Sequence, residues 1–296
     1  MTVATARREP VFLLAPARSY STVTLALLAG HPEIYGFPEM LAFAEPTVGH
    51  LLGKAAAPDR MSAGWAGSQV TGACRAIADL HEGNQSGEAL ARARAWLAER
   101  AGWSGARVLE HLLELAHPRV GLEKSPDTTR TQEAFDRCLR HFPDARLIHL
   151  TRHPVTTQQS MREHWRPFFT SELHLSVAAA SAWYLSHRRI TAVLSGLPPQ
   201  RWMRVRAEDV LRAPERWLPR ILGWLGLDHD ERTVDRMLRT ETWRFAGGMH
   251  GGDPKFMRDP RLRPVPEPGP VVFDPAAGLS DGMVAGMTSL ARKLGY

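Results

Sequence analysis

In PVFLLAPARSYSTVTLALLAGHPEIYGFPE (residues 10–39), Arg18, Ser19, Ser21 and Thr22 stand between an apolar run, Val11–Leu14, and a second apolar segment. A loop entering a helix N-terminus points backbone N–H groups at an anion, and the helix dipole adds to the attraction. The hydroxyls of Ser21 and Thr22 supply more donors, and Arg18 supplies a planar cationic fork. The same Ser and Thr also suit plain helix capping. A second grouping lies in HLTRHPVTTQQSM, where Arg152 leaves an apolar run and Ser160 follows eight residues later, about two helical turns on. That spacing lets a guanidinium and a hydroxyl grip a second phosphate, although a strand-end ion pair and an ordinary helix hydroxyl would leave the same trace. One cradle for a 5′ group and another for a remote phosphate suit a nucleotide that carries an extra 3′-phosphate.

The nucleoside triphosphatase loop, G-x-x-x-x-G-K-[ST], is the obvious rival. The corresponding window here, APARSYST, has neither Gly nor Lys. Nucleic acid is a weaker partner still. The net charge is +6, but the basic residues are nearly all Arg and are scattered, with Lys only at 54, 124, 255 and 293. No basic arm or nucleic-acid-binding signature is present. Cys74 and Cys138 are the only cysteines, too few for a disulfide framework or a Cys-based zinc site. MTVATARREP lacks the apolar stretch of a secretory leader, and no segment nears the roughly 18 apolar residues of a membrane helix. The expectation is a cytoplasmic protein that does not engage a membrane.

These residues need elements to position them. Residues 10–15, 119–126, 146–154 and 201–210 read as strands, each delivering polar residues at its carboxyl end: the Arg18 loop, Lys124 with Ser125, Arg152, and Glu208 with Asp209. Helical patterns cover 22–30, Ala73–Leu80, Glu88–Glu99, Val108–Leu115, the Phe135/Cys138/Leu139/Phe142 face, a polar segment through Ser160, Leu173–Leu194, 213–227 and 281–294. Alternation of strands and helices predicts an α/β fold, a three-layer parallel sheet whose phosphate-binding strand–loop–helix is P-loop-like. Residues 44–118 contain no convincing strand and read as a helical insertion. The Pro- and Gly-rich stretch near 245–275 reads as a closing flap, and the whole of 1–296 as a single domain. Ligands of such sheets bind at the carboxyl ends of the strands.

At this point the chain resembles the sulfotransferase family that uses 3′-phosphoadenosine 5′-phosphosulfate (PAPS), in its bacterial and Golgi-type branches. ARSYST looks like the family's 5′-phosphosulfate loop, which implies that Arg18, Ser19, Tyr20, Ser21 and Thr22 hold the 5′ end of the donor. RHPVTTQQS resembles the 3′-phosphate element and gives that role to Arg152 and Ser160. HPEIYGFPE resembles the segment that carries a catalytic Glu in tyrosine-directed relatives, EKSP their Lys-x-Pro turn, and GGMHGGDPKF (247–256) a glycine-rich loop covering the nucleotide. The last implies contacts from Gly252 and Lys255. Tyr20 occupies a place usually held by Gly. A positive φ there would cost Tyr about 1 kcal/mol or more, so either the loop is shaped differently or Tyr20 walls the acceptor pocket.

The resemblance implies in-line transfer of a sulfuryl group to a hydroxyl, with release of 3′-phosphoadenosine 5′-phosphate (PAP). Glu39 is expected to be the general base, its pKa raised by partial desolvation near an anionic donor. Lys124 and Arg18 are expected to stabilise charge on the transferring and leaving oxygens. The scheme requires no metal, and His111 with Glu114 reads as a helix-surface pair; His50 and His250 are lesser candidates for the base. The acceptor is expected against the insertion and HWRPFF (164–169). An apolar lining suits an alcohol or phenol, whereas Arg162 and Arg166 would suit the phosphopantetheine arm of a carrier protein. A P-loop-class kinase of small molecules and a noncatalytic nucleotide- or nucleic-acid-binding module are the alternatives.

Overall fold

The computed structural model describes residues 9–40, 42–246, 265–273 and 278–296. Its elements run β1 (Val11–Leu14), α1 (Ser21–Ala29), β2 (Ile34–Gly36), α2 (Val48–Ala55), α3 (Arg60–Glu82), α4 (Gly87–Glu99), α5 (Gly105–Ala116) and β3 (Val120–Glu123). They continue with α6 (Gln132–His141), β4 (Arg146–Thr151), α7 (Pro154–Trp165), α8 (Glu172–Leu194), β5 (Trp202–Arg206), α9 (Ala207–Arg212), α10 (Pro214–Leu225), α11 (Glu231–Met237) and α12 (Asp281–Lys293). Among the described residues five strands form one sheet in the order β2-β3-β1-β4-β5, and every pair is parallel. β1, buried throughout, is central. The chain moves from it to β2 and β3 on one side and then to β4 and β5 on the other. A parallel sheet that reverses direction at its centre opens a crevice beyond the carboxyl ends of the strands on either side of the switch.

The α/β class and the parallel sheet are as expected, and the described residues of 44–118 hold α2 to α5 and no strand. The differences from the sequence reading have local causes. β2 is a fifth strand, only three residues long and lying between Pro32 and Pro38, so it has no readable alternation; it exists by pairing with β3. α3 starts well before Ala73 because Gly64, Gly67 and Gly72, which interrupt its apolar pattern, do not interrupt the helix. The strand expected over 201–210 ends at Arg206, where α9 begins without a turn, so Glu208 and Asp209 sit in a first helical turn. α10 closes on Gly226, left-handed at φ 69°. One hydrophobic cluster joins the sheet to helices α2 to α5, with the rings of Phe12 and Phe142 each meeting Phe43 edge-on, while a smaller cluster packs Met287, Leu290, Ala291 and Leu294 against Ala180 and Trp183.

No helix of the described residues is long and apolar enough to cross a membrane.

Candidate active site

β1 leads through residues 15–20 into α1. Arg18 (φ 65°) and Tyr20 (φ 58°) both adopt left-handed backbone, at a cost of about 1–2 kcal/mol for each L-residue. The loop therefore keeps the conformation that Gly would adopt freely. Its shape is secured from β4 and α7: Arg18 Nε donates to Ser160 Oγ at 3.1 Å and Arg152 Nη1 to the Arg18 carbonyl at 2.5 Å. The Arg152 guanidinium also lies 3.9 Å from the Tyr20 ring centroid, an attractive stack. Tyr20 thus packs on Arg152 and lines the same cavity of about 310 Å³, together with Ser160 and residues 265–269.

α1 begins without a side-chain cap, whereas α2, α4, α5, α6, α8, α11 and α12 are each capped by Ser, Thr or Asp. Ser21 and Thr22 stand inside the helix and do not cap it, which leaves the first N–H groups of α1 oriented for an anion. Among the described residues, Ser19 Oγ and Arg152 Nε are buried without a hydrogen-bond partner. Other buried side-chain atoms are also unpartnered elsewhere among the described residues, but these two donors stand at the loop, where a phosphate-bearing ligand would satisfy them.

The other end of the cleft is assembled from β2, β3 and α3. Glu39 lies three residues past β2, and Lys124 directly follows β3. Lys124 Nζ donates to Thr22 Oγ1 at 3.0 Å and pairs with Glu39 Oε1, while Gln69 Nε2 donates to Glu39 Oε2 at 3.1 Å. Lys124 is buried, but the Glu39 side chain is 37% accessible from the cleft. Gly72 permits this arrangement: a Cβ there would meet the Glu39 carbonyl oxygen at 1.9 Å. Gly105 does the same one step on, where a Cβ would stand 2.4 Å from the Ala42 carbonyl oxygen. Two insertion helices thereby press against the Glu39 segment at backbone distance.

The Glu39 carboxyl departs from expectation in sign. Crowding by protein would raise its pKa, but the Lys124 ammonium, hydrogen bonds from Lys124 and Gln69, and the charge of Arg18 together hold it below the usual carboxylate range. Two neighbouring acids behave oppositely. Burial pushes Glu123 up to about 7, against the opposing pull of its Ser125 hydrogen bond and of Lys124. Asp127 is likewise pushed to about 7 by burial, aided by the Glu39 charge and opposed by Arg130 and by the Trp65 indole, which donates to it at 3.0 Å.

The structure brings Arg18, Ser19, Tyr20, Ser21, Thr22, Arg152, Ser160, Lys124 and Glu39 together at one cleft. Gly252, Lys255 and His250, with the glycine-rich loop, lie outside the described residues. His50 bonds Thr47, which caps α2, and His111 stacks on Trp96 and faces His81. Arg162 and Arg166 are paired with Glu172. Sequence reading missed Gln69, which shows no motif and lies thirty residues from Glu39, and the bracing of Arg152 by Trp183, whose indole donates to its carbonyl at 3.3 Å.

A parallel sheet with a phosphate-type loop after its central strand, a second cationic loop on one side of it and a Lys–Glu pair on the other has the parts of a phosphate-binding group-transfer fold. The Sulfotransferase family matches residues 10–231, and the chain belongs to that family. The sulfotransferase domain from the Synechococcus PCC 7002 olefin synthase is similar in structure, with a TM-score of 0.71, 24% identity, and coverage of 99% of this chain and 97% of that one. The sulfotransferase domain from the curacin biosynthetic pathway gives a TM-score of 0.74 at 21% identity, over 97% and 98% of the two chains. Mouse sulfotransferase SULT7A1, complexed with PAP, gives 0.50 at 11% identity, over 98% and 84%. No curated protein sequence matches the chain. The protein is a sulfotransferase, and the kinase and noncatalytic alternatives fall with that membership.

Proposed function

We propose that this sulfotransferase, acting as one unit, takes its sulfuryl group from PAPS and delivers it to the hydroxyl of an alcohol or phenol, free or carrier-bound. The carrying observation is the direct link between the two anion-binding loops: Arg152 bonds the Arg18 carbonyl while Arg18 bonds Ser160. A single adenosine carrier bearing charge at both ends would span them. Ser19, Ser21, Thr22 and the N-terminus of α1 would hold the 5′ end, and Arg152 with Ser160 the 3′-phosphate. The orphaned Ser19 hydroxyl and Arg152 Nε support this reading, as does the PAP complex of the mouse sulfotransferase. The origin of two similar domains in an olefin synthase and a biosynthetic pathway supports a biosynthetic acceptor.

In the transfer, the acceptor oxygen forms a bond to sulfur as the bond from sulfur to the 5′-phosphate oxygen breaks. Glu39 takes the acceptor proton, and PAP leaves with the electron pair of the broken bond. Lys124 and Arg18 stabilise the leaving oxygen. The ion pair between Lys124 and Glu39 gives the base its timing. Lys124 drawn onto an incoming anion leaves Glu39, and the largest influence holding that carboxylate acidic goes with it. Glu39 becomes a competent base only in the loaded site.

Thermal-shift titration with PAP, ADP and AMP tests the donor, because a ligand bound to the native state raises its apparent stability. Stabilisation by PAP well above the other two is expected. Equal shifts from all three would overturn the assignment of PAPS.

A further inference from the structure

The turn that carries Arg152 is braced from behind. Glu208, buried in the first turn of α9, accepts the backbone N–H of His153 through Oε1 at 2.8 Å and the Tyr296 hydroxyl through Oε2 at 2.9 Å. Thr151 Oγ1 lies 3.2 Å from the same hydroxyl. The Tyr296 ring meets His153 edge-on at 5.6 Å and sits beneath the Arg206 guanidinium at 4.6 Å. Leu294, two residues earlier, belongs to the cluster that seats α12 on α8 through Trp183. Thr151, Arg152 and His153 are therefore each held by a contact to Tyr296, Trp183 or Glu208.

Glu208 also lines the cavity into which Arg152 faces. A carboxylate free to turn there would pair with Arg152 and compete with any phosphate. Its two hydrogen bonds point it elsewhere. Burial and the Glu208 charge keep the Tyr296 phenol protonated, so it remains a donor.

We propose that Tyr296 is a positioning residue for the 3′-phosphate grip: by holding Glu208 on the His153 amide, it keeps Arg152 available and correctly aimed. This rests on the reading that Arg152 takes the 3′-phosphate. AMP is PAP without that phosphate, so the pair of ligands isolates the grip. The experiment is calorimetric titration of the full chain and of Tyr296→Phe, which keeps the ring, with PAP and with AMP.

The wild type should prefer PAP. In Y296F, affinity for PAP should fall roughly five- to tenfold, while that for AMP stays within about twofold. An unchanged preference, or an equal loss for both ligands, overturns the proposal. A wild type that does not distinguish PAP from AMP overturns the underlying reading of Arg152 instead. Should Y296F fail to fold, Glu208→Asp withdraws the carboxylate from the same hydroxyl, and the ratio of affinities is read in the same way.

Discussion

The two ends of the cleft solve different problems. At the reactive end, the charged groups Lys124 and Glu39 already satisfy each other, with Thr22 and Gln69 completing their bonds. At the grip end, Arg152 is stacked, backed and aimed, yet one of its donors has no partner among the described residues. On the proposed mechanism, one end must exchange partners to work, and the other must only be filled. Affinity should therefore reside at Arg152, and turnover at Glu39 and Lys124.

The substitution expected to separate these ends most strongly is Glu39→Gln. Gln keeps the shape and the contact with Lys124 but cannot take a proton, so turnover should fall about 10²- to 10⁴-fold. Affinity for PAP, measured by calorimetry, should hold or tighten as Lys124 is released from its counter-ion. Turnover near that of wild type would remove Glu39 from the chemistry. Arg152→Lys inverts the comparison: it sacrifices the planar fork and the stack on Tyr20, and a Lys does not replace either. Binding of PAP should weaken about tenfold or more, and by clearly more than that of AMP, which loses only the support that Arg152 gives the Arg18 loop. Equal weakening of both nucleotides would place Arg152 away from the 3′-phosphate.

The loops of this site were legible in sequence, but the bonds between them were not. Arg18 and Arg152 stood out as strand-end cations, and resemblance tied them to one nucleotide. The hydrogen bond from Arg18 to Ser160 crosses 142 residues, and only the strand order that sets β4 beside β1 produces it. β2 escaped because three residues carry no period; its Tyr35 is secured by a bond of 2.6 Å to Asp79 of α3 and its flank by pairing to β3. The direction of the Glu39 pKa shift was misjudged for a similar reason. Burial can be guessed from position, whereas two donors converging from β3 and α3 cannot.

The packing of α3 against the Glu39 segment gives a third test. Gly72→Ala places a methyl group against the Glu39 carbonyl, so the helix or the segment must move. Overpacking of this kind costs about 1–3 kcal/mol, visible as a lowered Tm. Because the displaced residue belongs to the reactive end, turnover should fall well beyond the change in affinity for PAP. An equal fall in both would show that α3 supports the two ends alike.

The smallest effect concerns the acids beneath Lys124. Glu123 has its pKa raised from 4.5 to about 7 on folding, and Asp127 from 3.8 to about 7. A carboxyl raised by folding stabilises the protein fully below its unfolded pKa, and that contribution is lost as pH rises through the folded value. Glu39 has the opposite sign: held below 4.5, it contributes above that value and is lost as pH falls. Stability should therefore decline between pH 4.5 and 7 on account of the grip-independent acids, and decline again below 4.5 on account of the reactive one. Glu123→Gln removes one titrating group from the first window, so its Tm should vary less between pH 4.5 and 7, by a few degrees, while the acid limb stays in place. A slope identical to that of wild type would mean that Glu123 is ionised in the folded protein, and that Lys124 neutralises two carboxylates and not one.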